Sequence, residues 1–170
     1  MADNTLTYSI AREWLQGRIG NEKFALRAWS GGGRGKIGSG AEHDASSYDV
    51  FRKTSQKKGV RGGPLPPGIY ICRYVAKHSH FGECVFLEQT ILSLISIDSD
   101  ANIDFYDREG FYIHGRGKLG SDGCIVPESE QERRRLNTAV KDAAAGSVML
   151  QVAERGMPLP ASRDTSTRTA

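Results

Sequence analysis

The chain has 170 residues, long enough for one domain with a hydrophobic core and too short to lead us to expect two. Its 23 Lys+Arg against 20 Asp+Glu leave a formal charge of +3, compatible with loose contact to an anionic wall polymer but far from a nucleic-acid footprint. No run approaches the roughly 18 apolar residues of a membrane span, and the opening MADNTLTYSIAREWLQGRIG carries polar and acidic groups where a secretory signal would be apolar. The expectation is a protein made in the cytoplasm without a Sec-type signal, with no nucleic-acid or membrane partner.

In chain order, residues 5–15 and 23–29 are rich in β-branched and aromatic side chains. The turn-forming Gly17-Arg18-Ile19-Gly20-Asn21 lies between them, so they read as a hairpin of two strands. From Ser30 to Gly63 glycine, serine and charge dominate, with a short helical turn near Tyr48 to Lys53, and the stretch reads as a long surface loop. Within it Ser30-Gly31-Gly32-Gly33-Arg34-Gly35-Lys36-Ile37 resembles a phosphate-binding loop. It lacks the first glycine and the magnesium-binding Ser/Thr of that motif, so a loop over a cleft is the better reading.

Gly62 to Gly68, with three prolines, predicts a stiff turn leading into a strand at 69–75. Further short strands are expected at 85–88, 92–97, 103–106 and 111–114. One helix is predicted. Pro127 suits its first turn, Glu128 and Glu130 its N-terminus, and Leu136, Val140 and Ala144 recur at four-residue spacing before Gly146. A last strand at 148–152 and a disordered tail at 161–170 complete a mainly β domain over residues 1–160.

The chemistry concentrates between Phe111 and Pro127. An apolar strand ends at His114, a glycine-rich loop follows, and Cys124 precedes the predicted helix. A thiol is mostly protonated at neutral pH unless an imidazole or a helix N-terminus stabilises its anion. His114 at a strand end is placed to take the Cys124 proton and return it to a leaving amine. Gly123 lets the backbone turn sharply, so that nearby amides point at a developing oxyanion, and a helix starting near Pro127 would add its positive dipole end. Cys72, His78, His80 and Cys84 match no common zinc spacing. If the hairpin turns near His78, Cys72 and Cys84 face each other and can form a disulfide; two reduced core cysteines are the other reading.

Ile113-His114-Gly115 followed by Gly120-Ser121-Asp122-Gly123-Cys124-Ile125-Val126 resembles the signature of the YkuD-type L,D-transpeptidases, in which His-Gly precedes Ser/Thr-His-Gly-Cys. The ten-residue step from His114 to Cys124 is shorter than usual in that family and is similar to a compact branch, the type VI secretion L,D-transpeptidase effectors. Gly63 to Tyr70, and Arg108 ahead of Phe111, also resemble that branch, and the likeness spans Gly62 to Arg134.

The resemblance implies an L,D-transpeptidase-like β-sandwich or barrel with one principal helix after the cysteine. It implies cleavage of the diaminopimelate–D-Ala bond of peptidoglycan tetrapeptide stems through a Cys124 thioester, followed by hydrolysis or D-amino acid exchange, with no cofactor and no metal. Ser121 would shape the catalytic turn, and Tyr112, Arg108, Arg116 and Gly115 would line the cleft, an arginine there holding a diaminopimelate carboxylate. Asp122 stands where most of the family has histidine; it orients His114, pairs with Arg116 or is a solvated turn residue. An antibacterial effector of this kind implies a cognate immunity protein, secretion machinery, and action in the periplasm of a target bacterium. A non-catalytic cell-wall binding module with the same fold is the alternative.

Overall fold

The structure, a computed structural model, describes residues 4–31, 63–90, 109–115, 121 and 123–153. Eight strands form a closed barrel: β1 (Thr5–Ser9), β2 (Trp14–Ile19), β3 (Glu22–Ser30), β4 (Gly68–His78), β5 (Gly82–Gln89), β6 (Phe111–Ile113), β7 (Ile125–Pro127) and β8 (Met149–Ala153), in the order β1-β2-β3-β7-β6-β5-β4-β8. Closure removes the exposed edges that short strands would otherwise leave. β1 runs parallel to β8 and β6 parallel to β7, and the other neighbours are antiparallel. The mainly β reading is thus the observed class, and the closed barrel is its architecture.

Alternation along the strands fills the interior. Leu6, Tyr8, Leu15, Tyr70, Leu87 and Leu150 are buried in one cluster, while their strand neighbours face outward. The one helix among the described residues, α1 (Glu130–Asp142), adds Leu136, Ala139 and Val140 to that cluster. Among the described residues no helix is long and apolar enough to cross a membrane.

Three local expectations are corrected. The first predicted strand is two strands, broken at Ile10 to Glu13, where Glu13 takes φ 53° and donates its N–H to Ile10 O. Gly17 to Ile19, read as a turn, lies inside β2, and the turn is Gly20-Asn21. Gly17 is there because β1 passes too close for a side chain: a Cβ would sit 2.1 Å from Thr5 O.

The helix, third, starts at Glu130 rather than near Pro127, which pairs with Ala28 in β7. Ser129 is its cap, accepting from Glu132 N at 3.2 Å, with Glu130 and Glu132 suited to the positive end of the dipole. It ends at Asp142, and Gly146 with φ 75° belongs to the turn that follows. The strands expected at 92–97 and 103–106, most of the long loop and the 161–170 tail lie outside the described residues.

Candidate active site

Register decides which side chains meet. Val85 pairs with Ile113, Phe86 with Tyr112, and Ile113 with Ile125; Val85, Ile113 and Ile125 all point into the core. Alternation therefore sends Cys84 and Phe86 of β5, Tyr112 and His114 of β6, and Cys124 at the start of β7 to the outer face. His114 N donates to Ile125 O at 3.1 Å, extending the β6–β7 pairing one residue further. Continued through that register, Cys124 lies beside Tyr112 and diagonal to His114. Burial raises the Tyr112 pKa, and the negative charge that Cys84 and Cys124 carry as thiolates raises it further, placing both within electrostatic reach of this phenol.

Of the three cysteines, Cys72 and Cys84 are buried and Cys124 is partly exposed. None of the three is joined in a disulfide. The Cys72–Cys84 bridge is corrected by the β4–β5 register: Cys72 pairs with Leu87 and Cys84 with Val75, so the two are three positions out of step and on opposite faces. Cys72 packs into the core, and its burial pushes the thiol up to about 12. Burial also raises Cys84, opposed by the positive charge of Arg133 and reinforced by the negative charge of Glu83.

His114 is nearly enclosed, 6% exposed. Its Nδ1 lies 2.8 Å from Gly115 O. A carbonyl oxygen only accepts, so Nδ1 carries a proton and donates, and in the neutral ring the basic lone pair is on Nε2. Gly115, expected to line the cleft, thus sets the histidine tautomer through its backbone carbonyl. Phe81 covers one face of the ring, with centroids 3.9 Å apart and planes 9° from parallel, and His78 stacks on Phe81 at 4.7 Å. Both come from the β4–β5 hairpin tip, which His78 organises by accepting from the N–H groups of His80 and Phe81. Tyr112 packs against His78, Phe81 and Phe86.

The turn before Cys124 is held by two serines. Gly123 takes φ 115°, which glycine adopts readily and L side chains rarely do. The buried Ser30 hydroxyl at the end of β3 donates to Gly123 O at 3.1 Å and accepts from Leu65 N at 2.8 Å. In a trans peptide the N–H points opposite the C=O, so the Cys124 N–H is turned away from Ser30. Ser121 Oγ donates to Cys124 O and accepts from Gly31 N, while Ser121 N donates to Gly31 O. Ser121 thus shapes the turn from the other side.

The helix dipole expected behind the cysteine is corrected. β7 lies between Cys124 and the start of α1, about 10 Å of extended chain, whereas the dipole acts within the first turn. The cation that α1 brings to the His-Gly turn is the guanidinium of Arg133, which crowds the Gly115 Cα and donates to Glu83 O at 3.2 Å. Arg108, Arg116 and Asp122 lie outside the described residues.

Sequence reading missed Phe81, Ser30 and Arg133. The hairpin turn near His78 was legible, but not that β5 would pair with β6 and lay the tip over His114. For Ser30 and Arg133 the sequence held no signal beyond a polar residue at a strand end and a basic one on a helix. No family model matches the chain, and no curated protein matches it significantly.

Proposed function

We propose that the protein is a cysteine L,D-transpeptidase and L,D-carboxypeptidase acting on peptidoglycan tetrapeptide stems. The observation that carries this reading is the placement of Cys124 and His114 on one face of adjacent strands, with the imidazole's Nδ1 occupied by Gly115 O. In this reading Nε2 of His114 takes the Cys124 thiol proton, and the thiolate attacks the carbonyl that joins the L-centre of diaminopimelate to D-Ala. The tetrahedral intermediate collapses as Nε2 returns the proton to the D-Ala amine, which leaves, and a thioester remains on Cys124. Water or the amine of a free D-amino acid then attacks the thioester and restores the thiol. Neither half of the cycle requires a cofactor.

The motif likeness supplies the substrate class, and a partly exposed Cys124 diagonal to a nearly enclosed His114 is consistent with it. The L,D-transpeptidase fold itself is part of the same proposal, as is the role of an antibacterial effector that is secreted into a target periplasm and held silent by an immunity protein.

The test is incubation of purified muropeptides with the wild type, Cys124→Ala and His114→Gln, with and without added D-amino acids, reading product masses. Loss or exchange of the terminal D-Ala by the wild type alone supports the enzyme. Unchanged masses together with tight binding to sacculi would overturn it in favour of a wall-binding module.

A further inference from the structure

A guanidinium removed from water is costly unless its donors are met. The Arg133 side chain is only 12% exposed, and its donors are met poorly. One reaches Glu83 O at 3.2 Å. Another is 3.8 Å from the Glu130 carboxylate, which holds Arg134 at 2.6 Å instead. Nε is buried without a hydrogen-bond partner. Pairing therefore does not account for its position.

What Arg133 does contact closely is Gly115. A Cβ built there would stand 2.5 Å from Nε, 2.9 Å from Cζ and 3.1 Å from Nη2 of Arg133. The guanidinium is a wall against the peptide whose carbonyl holds Nδ1 of His114.

Resting on the proposed Cys124–His114 pair, we infer that Arg133 is a positioning residue: it locks the 114–115 turn so that Gly115 O stays on Nδ1 and Nε2 stays aimed at Cys124. Among the described residues the imidazole is held by Phe81 on its face and by Gly115 O on Nδ1.

The experiment reads Cys124 itself and needs no substrate. The rate of iodoacetamide alkylation, followed on the Cys124 peptide by mass spectrometry, is measured against pH for the wild type, His114→Gln, Arg133→Met, Arg133→Lys, Gly115→Ala and Gly115→Ala/Arg133→Met. Thermal unfolding of each variant accompanies it.

Arg133→Met is expected to slow neutral-pH alkylation about tenfold. Arg133→Lys stays slow, since a lysine supplies a charge without the planar wall. Gly115→Ala shows the same slowing, and the double variant is no slower than the worse single one, because both act through one contact. Folded Arg133→Met and Gly115→Ala variants that both alkylate like the wild type would overturn the proposal. So would a His114→Gln profile equal to the wild type, which would remove the pair beneath it. A His114-dependent profile that Arg133→Met disturbs, in a protein that leaves muropeptides intact, upholds the positioning role while sinking the substrate reading.

Discussion

Phe81 lies flat on His114, their ring centroids 3.9 Å apart and their planes within 9°. The tip of one hairpin thus fixes the plane of an imidazole 33 residues further along the chain. With Nδ1 bound to Gly115 O, one face and one edge of the ring are set. The base of the proposed reaction has little freedom left to lose on reaching its transition state.

Replacing Phe81 with alanine removes about 1 kcal/mol of ring-on-ring contact and opens room for the imidazole to tilt. Turnover of muropeptides is expected to drop about fivefold or more, with KM nearly unchanged, while Phe81→Tyr keeps most of the wild-type rate. Steady-state kinetics on a purified tetrapeptide muropeptide measure both.

Ser30→Ala leaves Leu65 N and Gly123 O without their shared hydroxyl in a buried site. The unfolding free energy should fall by about 1 to 3 kcal/mol in urea titration. Cys124 should also become more accessible to alkylation, since the turn that carries it loses one of its two serine ties.

Gly17→Ala meets both a backbone at φ 146° and the Thr5 carbonyl, 2.1 Å from the new Cβ. The β1–β2 pairing must spread to admit a methyl group, at about 3 kcal/mol, and the thermal midpoint is expected to fall accordingly. Gly20→Ala, with φ 58° but nothing within 4 Å of its Cβ, should cost less.

The buried Cys72 thiol makes stability depend on pH in the alkaline range. Its pKa rises from 9.0 to about 12 because the thiolate is excluded from the core. Above pH 9 the unfolded chain gives up this proton while the folded chain holds it, so fewer protons are bound in the unfolded state and stability falls as pH rises. The contribution is whole below pH 9 and is lost progressively toward pH 12. Cys72→Val should flatten that part of a denaturation-midpoint profile, with the remaining slope owed partly to Tyr8, whose buried phenol is raised in the same direction.

The strands at 69–75, 85–88, 111–114 and 148–152 were legible to within a few residues because alternation of apolar and polar side chains is written into neighbouring positions. So was the apolar stripe of Leu136 and Val140. The helix start was misplaced because Pro127 satisfies a first helical turn and a short strand equally well; the competing signal was the Ser129 cap with Glu132 three residues on. Gly17 was read as a turn because sequence cannot distinguish a glycine needed for its backbone angles from one needed for the passage of another strand.

The sequence by itself determined a β-rich chain carrying His114 at a strand end and Cys124 behind a glycine. Those features arise from residues within a few positions of one another. Tertiary structure alone decided that β5, β6 and β7 lie side by side, that Phe81 closes on the imidazole, that Ser30 ties the cysteine turn from 93 residues away, and that Arg133 rather than a helix end stands against Gly115. Strand order and register are set by which apolar faces bury together across the closed barrel, a condition on the whole chain that no local pattern expresses.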